Sequence, residues 1–443
     1  MKGNRIVGCG IVAAALIVVL VVVAVLAITR PARMVRAEIA RIKAEGAPLT
    51  MKDLDGPKIP DSQNGAVEYQ KAFALISGED KKKDMDLIAD RSSLSHQPKT
   101  EAECRELRRA LAKYDRLVPI VEQAASKPDC RFPIGWEKSG ALDASFPHLR
   151  PLRDISRILS GNALLSVREN RPADAARYVD LGYAISDATT YRPTLLAFLY
   201  RCTQIHLASD ALGELLASGQ LSSQDAQGIM DRLAHIDLSS SPTEGLKVER
   251  AMGIWTFDRL RDDPGSLGAA SGSSRVGKGG GGTGPLVHLW MDLDEGYYLT
   301  KMRQYIDCSS QPYCDLARTG KLAEPSDMPK YAILSAICLP LVHAQWRIRD
   351  ESQARINGSR IALALAIYHN QHKTYPVDLN EVSRPLGGQV PIDPFSGKAF
   401  VYKKQISGCL LYSIGPDLKD NGGKEPPPGW AVSLGGDIVW RMK

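Results

Sequence analysis

The feature that most constrains this chain is a run from Ile6 to Ile28 without a single charged residue, built mainly from Val, Ala, Ile and Leu. Coiled at the helical rise, it spans roughly 34 Å, against about 30 Å for the hydrocarbon core of a bilayer. A water-soluble core helix is seldom so long and so uniformly apolar, so the run reads as a transmembrane helix. A cleaved secretory signal would end in a small-residue site, whereas this run ends Ala24-Val25-Leu26-Ala27-Ile28 and exceeds a usual signal core. Ile6-Val7-Gly8-Cys9 has the look of a lipoprotein box, but the apolar stretch follows Cys9 instead of preceding it. A prepilin-type leader needs Glu five residues after its Gly. Gly3, Gly8 and Gly10 are followed at that offset by Gly8, Ala13 and Ala15. The expectation is an uncleaved anchor over residues 1–36, with the lipid bilayer as partner of residues 6–28.

Flanking charge gives little help with orientation. Lys2 and Arg5 precede the run, and Arg30, Arg33, Arg36, Arg41 and Lys43 follow it. Counting cations alone leans towards a cytoplasmic body, but the rule discriminates poorly when both flanks are basic. The rest of the 443-residue chain has a globular composition, with 24% charged and 44% hydrophobic residues, enough for a sizeable core without metals or disulfides. The net charge of +6 is spread along the chain, with no basic cluster carrying aromatic platforms. A nucleic-acid partner is not expected.

Eight cysteines bear on the compartment. Cys308-Ser-Ser-Gln-Pro-Tyr-Cys314 encloses a turn-prone Pro, a spacing that a disulfide can close, and Cys104 and Cys130 flank a predicted helix and make a second candidate pair. Such bridges would imply an oxidising, extracytoplasmic compartment. Cys202 and Cys338 sit in apolar helical stretches where free thiols pack. No CxxC pair or neighbouring His supports zinc.

The body reads as mainly α. Residues 37–45 continue from the anchor as an amphipathic helix ending at Gly46. A helix starts near Asn64 and reaches Ile76, and 101–125 shows helical periodicity through Leu107, Leu111, Leu117 and Ile120. Arg131-Phe-Pro-Ile-Gly-Trp136 reads as extended. Residues 149–237 form a succession of helices, broken at Asn170-Arg-Pro172, with Ala163, Ala175 and Gly182 where two antiparallel helices approach. The pattern is similar to one tetratricopeptide hairpin, but a single copy fits an ordinary bundle better. Residues 264–286 are Gly/Ser-rich. Within them Gly272 to Gly279 approaches a phosphate-binding loop, yet Gly279 stands where a hydroxyl should meet Mg²⁺ and no strand precedes it, so a flexible insertion is expected. The domain expectation is thus 1–36 anchor, 37–263 helical body, 264–286 loop, 287–349 further body and 350–443 a small α+β module.

His369 and His372 could face one metal from a helix, but no third ligand is evident and both suit the last turn of a helix. No G-x-S-x-G, no H-E-x-x-H and no paired carboxylates in a recognisable setting are present. No catalytic residue is assigned.

In the last region, Ile356 to Asn370 reads as a helix that breaks at Tyr375-Pro376. Phe400-Val-Tyr402 and Leu410-Leu-Tyr-Ser413 read as strands joined at Ser407-Gly408, and Asp437-Ile-Val-Trp440 as a last strand. Taken in order, Tyr375-Pro376, Asp393-Pro394-Phe395-x-Gly397, Tyr402, Tyr412-Ser413-Ile-Gly415-Pro-Asp417, Gly422-Gly423 and Asp437-Ile438 resemble the globular head of the type II secretion major pseudopilin. The resemblance covers about the last 90 residues and implies a helix packed on a small antiparallel sheet. It also implies calcium, with Asp417 and Asp437 at the matching positions and Asp420 close by. Gly436, Lys419 and Lys424 depart from the family's acidic loop. More than 300 residues separate this head from the N-terminal run, which does not fit a filament subunit.

The remaining chain resembles a group of uncharacterised bacterial membrane-anchored helical proteins through Glu45-Gly46-Ala47-Pro48-Leu-Thr, Asn64-Gly-Ala, Cys130-Arg-Phe-Pro, and the stretch from Pro147-His148-Leu149 to Pro193-Thr-Leu-Leu196. No activity comes with that likeness. The expected function is a non-enzymatic envelope protein that binds or scaffolds a protein partner, its soluble portion outside the cytoplasm. The alternatives are an accessory component of a type II secretion or pilus-like machine, and a hydrolase with a site assembled in the helical body.

Overall fold

The computed structural model describes residues 25, 28–78, 81–92, 98, 100–136, 146–263, 285–320, 328–339, 343–425 and 435–443. Most of the expected anchor and the stretch 264–284 lie outside these residues. Among the described residues, no helix is long and apolar enough to cross a membrane.

The described chain is mainly α, as its periodicity implies. A helix over residues 28–44 (α1) turns at Gly46. Then come α2 (Met51–Asp55), α3 (Gly65–Ile76), α4 (Lys82–Arg91), α5 (Glu101–Leu111) and α6 (Leu117–Ala125). Their starts follow from local chemistry. Thr50 and Asp53 form a capping box on α2, Thr100 and Glu103 another on α5, and Asn64 caps α3, each satisfying N–H groups that a first turn leaves free. Apolar faces of α3 to α6 close over α7 (Leu149–Arg168), with Tyr69, Leu107, Leu117, Ile155 and Leu159 in one buried cluster.

At the end of α7, Asn170 adopts φ +57°, the left-handed stop that Asn tolerates, and Pro172 opens α8 (Pro172–Ala184) at the first helical position. The long helices α9 (Leu195–Ser218), α10 (Ser223–His235), α11 (Ser241–Asp262) and α12 (Pro285–Cys308) follow, then the short α13 (Tyr313–Arg318) and α14 (Ile333–Cys338), and finally α15 (His343–His372).

The C-terminal part adds two small antiparallel sheets. Strand β1 (Ile392–Asp393) pairs with β2 (Lys398–Ala399). Strands β3 (Val401–Gln405), β4 (Gly408–Ser413) and β5 (Ile438–Met442) lie in that order, with Leu411 opposite Tyr402 on one side and Trp440 on the other. The helix-on-sheet arrangement is the one expected, but the proposed boundary at residue 350 falls inside α15, which is continuous across it. Nor does the sheet have a core of its own. Leu411, Ile438, Trp440 and Met442 belong to one buried cluster with Ala163, Phe198, Leu212 and Ile229 of the helical body. The inner face of a three-stranded sheet is too small to bury itself, and α9 and α15 cover it.

Candidate ligand-binding cleft

Four distant stretches of chain meet in a cleft of about 690 Å³: residues 54–70, 130–136, 146–148 and 188–197. Asn64 is the clasp. Its side-chain oxygen accepts from Arg131 N (2.8 Å) and Ala66 N (3.1 Å), and its amide donates to Arg131 O (3.0 Å). Gly65 N donates to Asp129 O at 2.7 Å, so the start of α3 and the extended strip after Asp129 run side by side. One short side chain thus caps a helix and fixes the strip that lines the cleft.

The strip projects aromatic groups. Phe132 stacks on the His148 ring at 4.4 Å between centroids and 9° between planes, and Trp136 meets Phe146 edge-on at 5.8 Å. Burial pushes His148 down to about 4, so at neutral pH the ring is an uncharged part of this floor. Arg131 supplies a guanidinium whose Nη2 already pairs with Asp129 Oδ1 at 3.5 Å. Its guanidinium lies 4.1 Å over the Tyr191 ring, and its Nη1 donates to Pro57 O at 2.7 Å. Nε is buried without a hydrogen-bond partner.

The opposite wall is held tightly. A β-carbon on Gly56 would stand 1.6 Å from the Tyr191 hydroxyl, so only glycine lets the loop lie against that ring. Arg192 has φ +44° although it is not glycine and precedes Pro193, a position biased towards extended backbone. Thr194 then caps α9 by accepting from Ala197 N (3.1 Å), and Glu249 accepts from Leu195 N (3.1 Å). Strain of this kind persists where the surroundings over-determine it, and here they do so at the wall of a cleft.

The sequence elements Asn64-Gly-Ala, Cys130-Arg-Phe-Pro, His148 and Pro193-Thr therefore come together in one place. The contributions of Gly56, Tyr191 and Arg192 were not legible in advance, because nothing local marks a glycine that must accept a tyrosine from a distant loop. Chemically, the cleft offers apolar and aromatic surface beside a cation. Cys130 is no nucleophile there, since burial pushes its thiol up to about 12.

The other sequence candidates lie elsewhere. Cys104, Cys130, Cys308 and Cys314 stand as free thiols in the structure. Cys104 packs in the apolar cluster of α3 to α7, and Cys130 only at its edge. Cys308 ends α12, whereas Cys314 lies in the first turn of α13 beside Asp315, 3.8 Å from Sγ to Oδ1. Asp417, Asp420 and Asp437 share one loop, but each carboxylate is turned to protein donors. Asp437 accepts from Asn421 N (3.2 Å) and Lys424 N (3.3 Å), Asp420 from the Tyr412 hydroxyl (3.0 Å) and Gly422 N (2.8 Å), and Asp417 from Lys419 N (3.0 Å) and Asn421 Nδ2 (3.1 Å). Among the described residues no three His, Cys, Asp or Glu side chains are grouped to hold a metal ion. His369 and His372 stack on Tyr375 and Tyr368, at 4.6 and 4.2 Å.

One arrangement imitates a catalytic triad. His206 Nε2 lies 2.9 Å from Ser352 Oγ, and its Nδ1 lies 3.8 Å from Glu351. Ser352 is wholly buried and its hydroxyl donates to Ile348 O (2.8 Å) one turn back. With its proton engaged there, Ser352 can only accept from the imidazole, the reverse of what a general base needs. Burial holds His206 well below its ordinary range, and Arg355 bridges the neighbouring Asp210 (2.7 Å). The group is a buried polar tie between α9 and α15. No family model, no curated protein and no solved structure matches the chain.

Proposed function

We infer that this is a membrane-anchored binding protein whose cleft receives a flat, apolar or aromatic group carrying an acceptor such as a carboxylate. The observation that carries this reading is the cleft itself: the Phe132–His148 stack and Trp136 beside the Arg131 guanidinium, walled by the strained Arg192. Concave sites of several hundred Å³, mostly apolar with a few fixed polar groups, suit recognition of small molecules or single side chains. Among the described residues no activated nucleophile accompanies the aromatic floor, which favours holding a ligand over transforming it. The extracytoplasmic placement draws on the pseudopilin-like order of the tail and on the Cys308–Cys314 spacing.

The test uses the full chain in nanodiscs and saturation-transfer NMR with indole-3-acetate, phenylacetate and N-acetyl-tryptophan as probes. Transfer to at least one probe is expected, and its loss when Val67→Trp fills the cleft. Absence of transfer to every probe, or transfer indifferent to the plug, would sink the reading. Protease added to sealed, right-side-out vesicles reports the side: a protected body contradicts the extracytoplasmic placement.

A further inference from the structure

The first turn of α12 is apolar and open to solvent. Leu286 is 80% exposed and Val287 is also exposed, an unusual start for a helix. The same edge carries Tyr331 and Ile333, the latter 53% exposed at the start of α14. Tyr331 is tied to α12 because its carbonyl accepts from Trp290 Nε1 at 2.8 Å. Asp294, fully buried on α12, ties the start of α14 to it by accepting from Leu334 N (2.7 Å) and Ser335 N (3.0 Å).

The position of this edge follows from how α1 lies on α12. Val35 Cγ2 lies 3.9 Å from where a β-carbon on Gly296 would sit, and Glu38 pairs with Arg303. Both residue numbers rise together, so the two helices run parallel. Counting back seven residues from each member of the Val35–Gly296 contact moves about 10 Å along either axis and reaches Ile28 and Leu289. The exposed apolar turn of α12 therefore lies about one helical turn beyond the level of Ile28, which is 56% exposed at the end of the uncharged run, where Val25 is 51% exposed. Exposed Arg30, Arg33 and Lys330 flank it. Apolar tips, a Trp–Tyr pair and basic neighbours at one level are the composition of a protein surface seated at the boundary between headgroups and acyl chains.

We propose that Leu286, Val287, Tyr331 and Ile333 form a second membrane contact that enters the lipid bilayer beside the anchor. The proposal rests on the reading of residues 6–28 as a membrane span. With two contacts, α1 cannot swivel, and the body is held in one orientation on the surface.

The experiment places p-benzoyl-phenylalanine at positions 25, 286, 333 and 377 of the full chain, reconstituted in vesicles of phosphatidylcholine with phosphatidylglycerol. After illumination, mass spectrometry reads lipid adducts. Adducts are expected at 25, 286 and 333 and none at 377, where exposed Val377 lies outside the edge. Adducts at 25 without any at 286 or 333 overturn the second contact and leave the span intact. Protein–protein adducts at 286 in place of lipid also overturn it, assigning the edge to a second copy. No lipid adduct at any position removes the span and this proposal together.

Discussion

Tyr191 occupies the space where any side chain at position 56 would begin, and it carries Arg131 on its face. Gly56→Ala must therefore move the ring, and its own φ of +65° adds backbone strain. The substitution is expected to cost about 1–3 kcal/mol, measured by urea unfolding, and to weaken probe binding in the cleft. A variant as stable as the parent would show that the Tyr191 wall is loose. His148 makes a second prediction. Its folded value of about 4 lies below the ordinary 6.5, so between these values the unfolded chain binds the proton that the folded chain refuses. The associated stability is fully present above pH 6.5 and is lost as the pH falls towards 4, by up to about 3 kcal/mol. His148→Phe keeps a ring against Phe132 without a titrating nitrogen. Unfolding curves at pH 7 and 4.5 should lie closer together for this variant than for the parent.

At the scale of elements, what could be read from the sequence was whatever local chemistry decides. Asn64 before Ala66 and Asn170-Arg-Pro172 each mark a helix boundary by satisfying or blocking backbone groups nearby, and the structure places boundaries at both. Helix α15 was read only from Ile356 because its first half is polar. That half is buried by distant partners: Arg349 reaches the carbonyls of Ser309 and Gln311, and Asp350 accepts from Tyr313 N at 2.7 Å. Pairings across some forty residues leave no periodic trace. The same reason hid the tight crossing of α15 and β5, where a β-carbon on Gly358 would stand 2.2 Å from the Trp440 ring. Gly358→Ala gains helix propensity but overpacks this contact, and overpacking should win by about 1–3 kcal/mol. Calorimetry that finds the variant equal to or more stable than the parent would contradict this packing.

At the scale of the molecule, the shared core decides whether the C-terminal part can stand alone. The inner residues of β4 and β5 pack with Phe198, Leu212 and Ile229, which a fragment of residues 350–443 lacks. The fragment would also begin within α15, cutting away Arg349 and the turn that precedes it. It is expected to show no cooperative thermal transition by circular dichroism, while the chain from residue 28 onwards melts as a folded protein. A sharp transition in the isolated fragment would restore the independent module that its order of motifs implies.

The docking of α1 along α12 also sets a distance. From residue 28 to residue 44 the helix advances about 24 Å, and the chain enters the cleft wall at Leu54 shortly after its end. On the proposal that residues 6–28 are an anchor, α1, docked on α12 through Val35 and Glu38, joins that anchor to the body as a bound helix and not a loose tether. The cleft would then be presented at one place relative to the membrane, to a ligand in solution or on the projecting part of a neighbour.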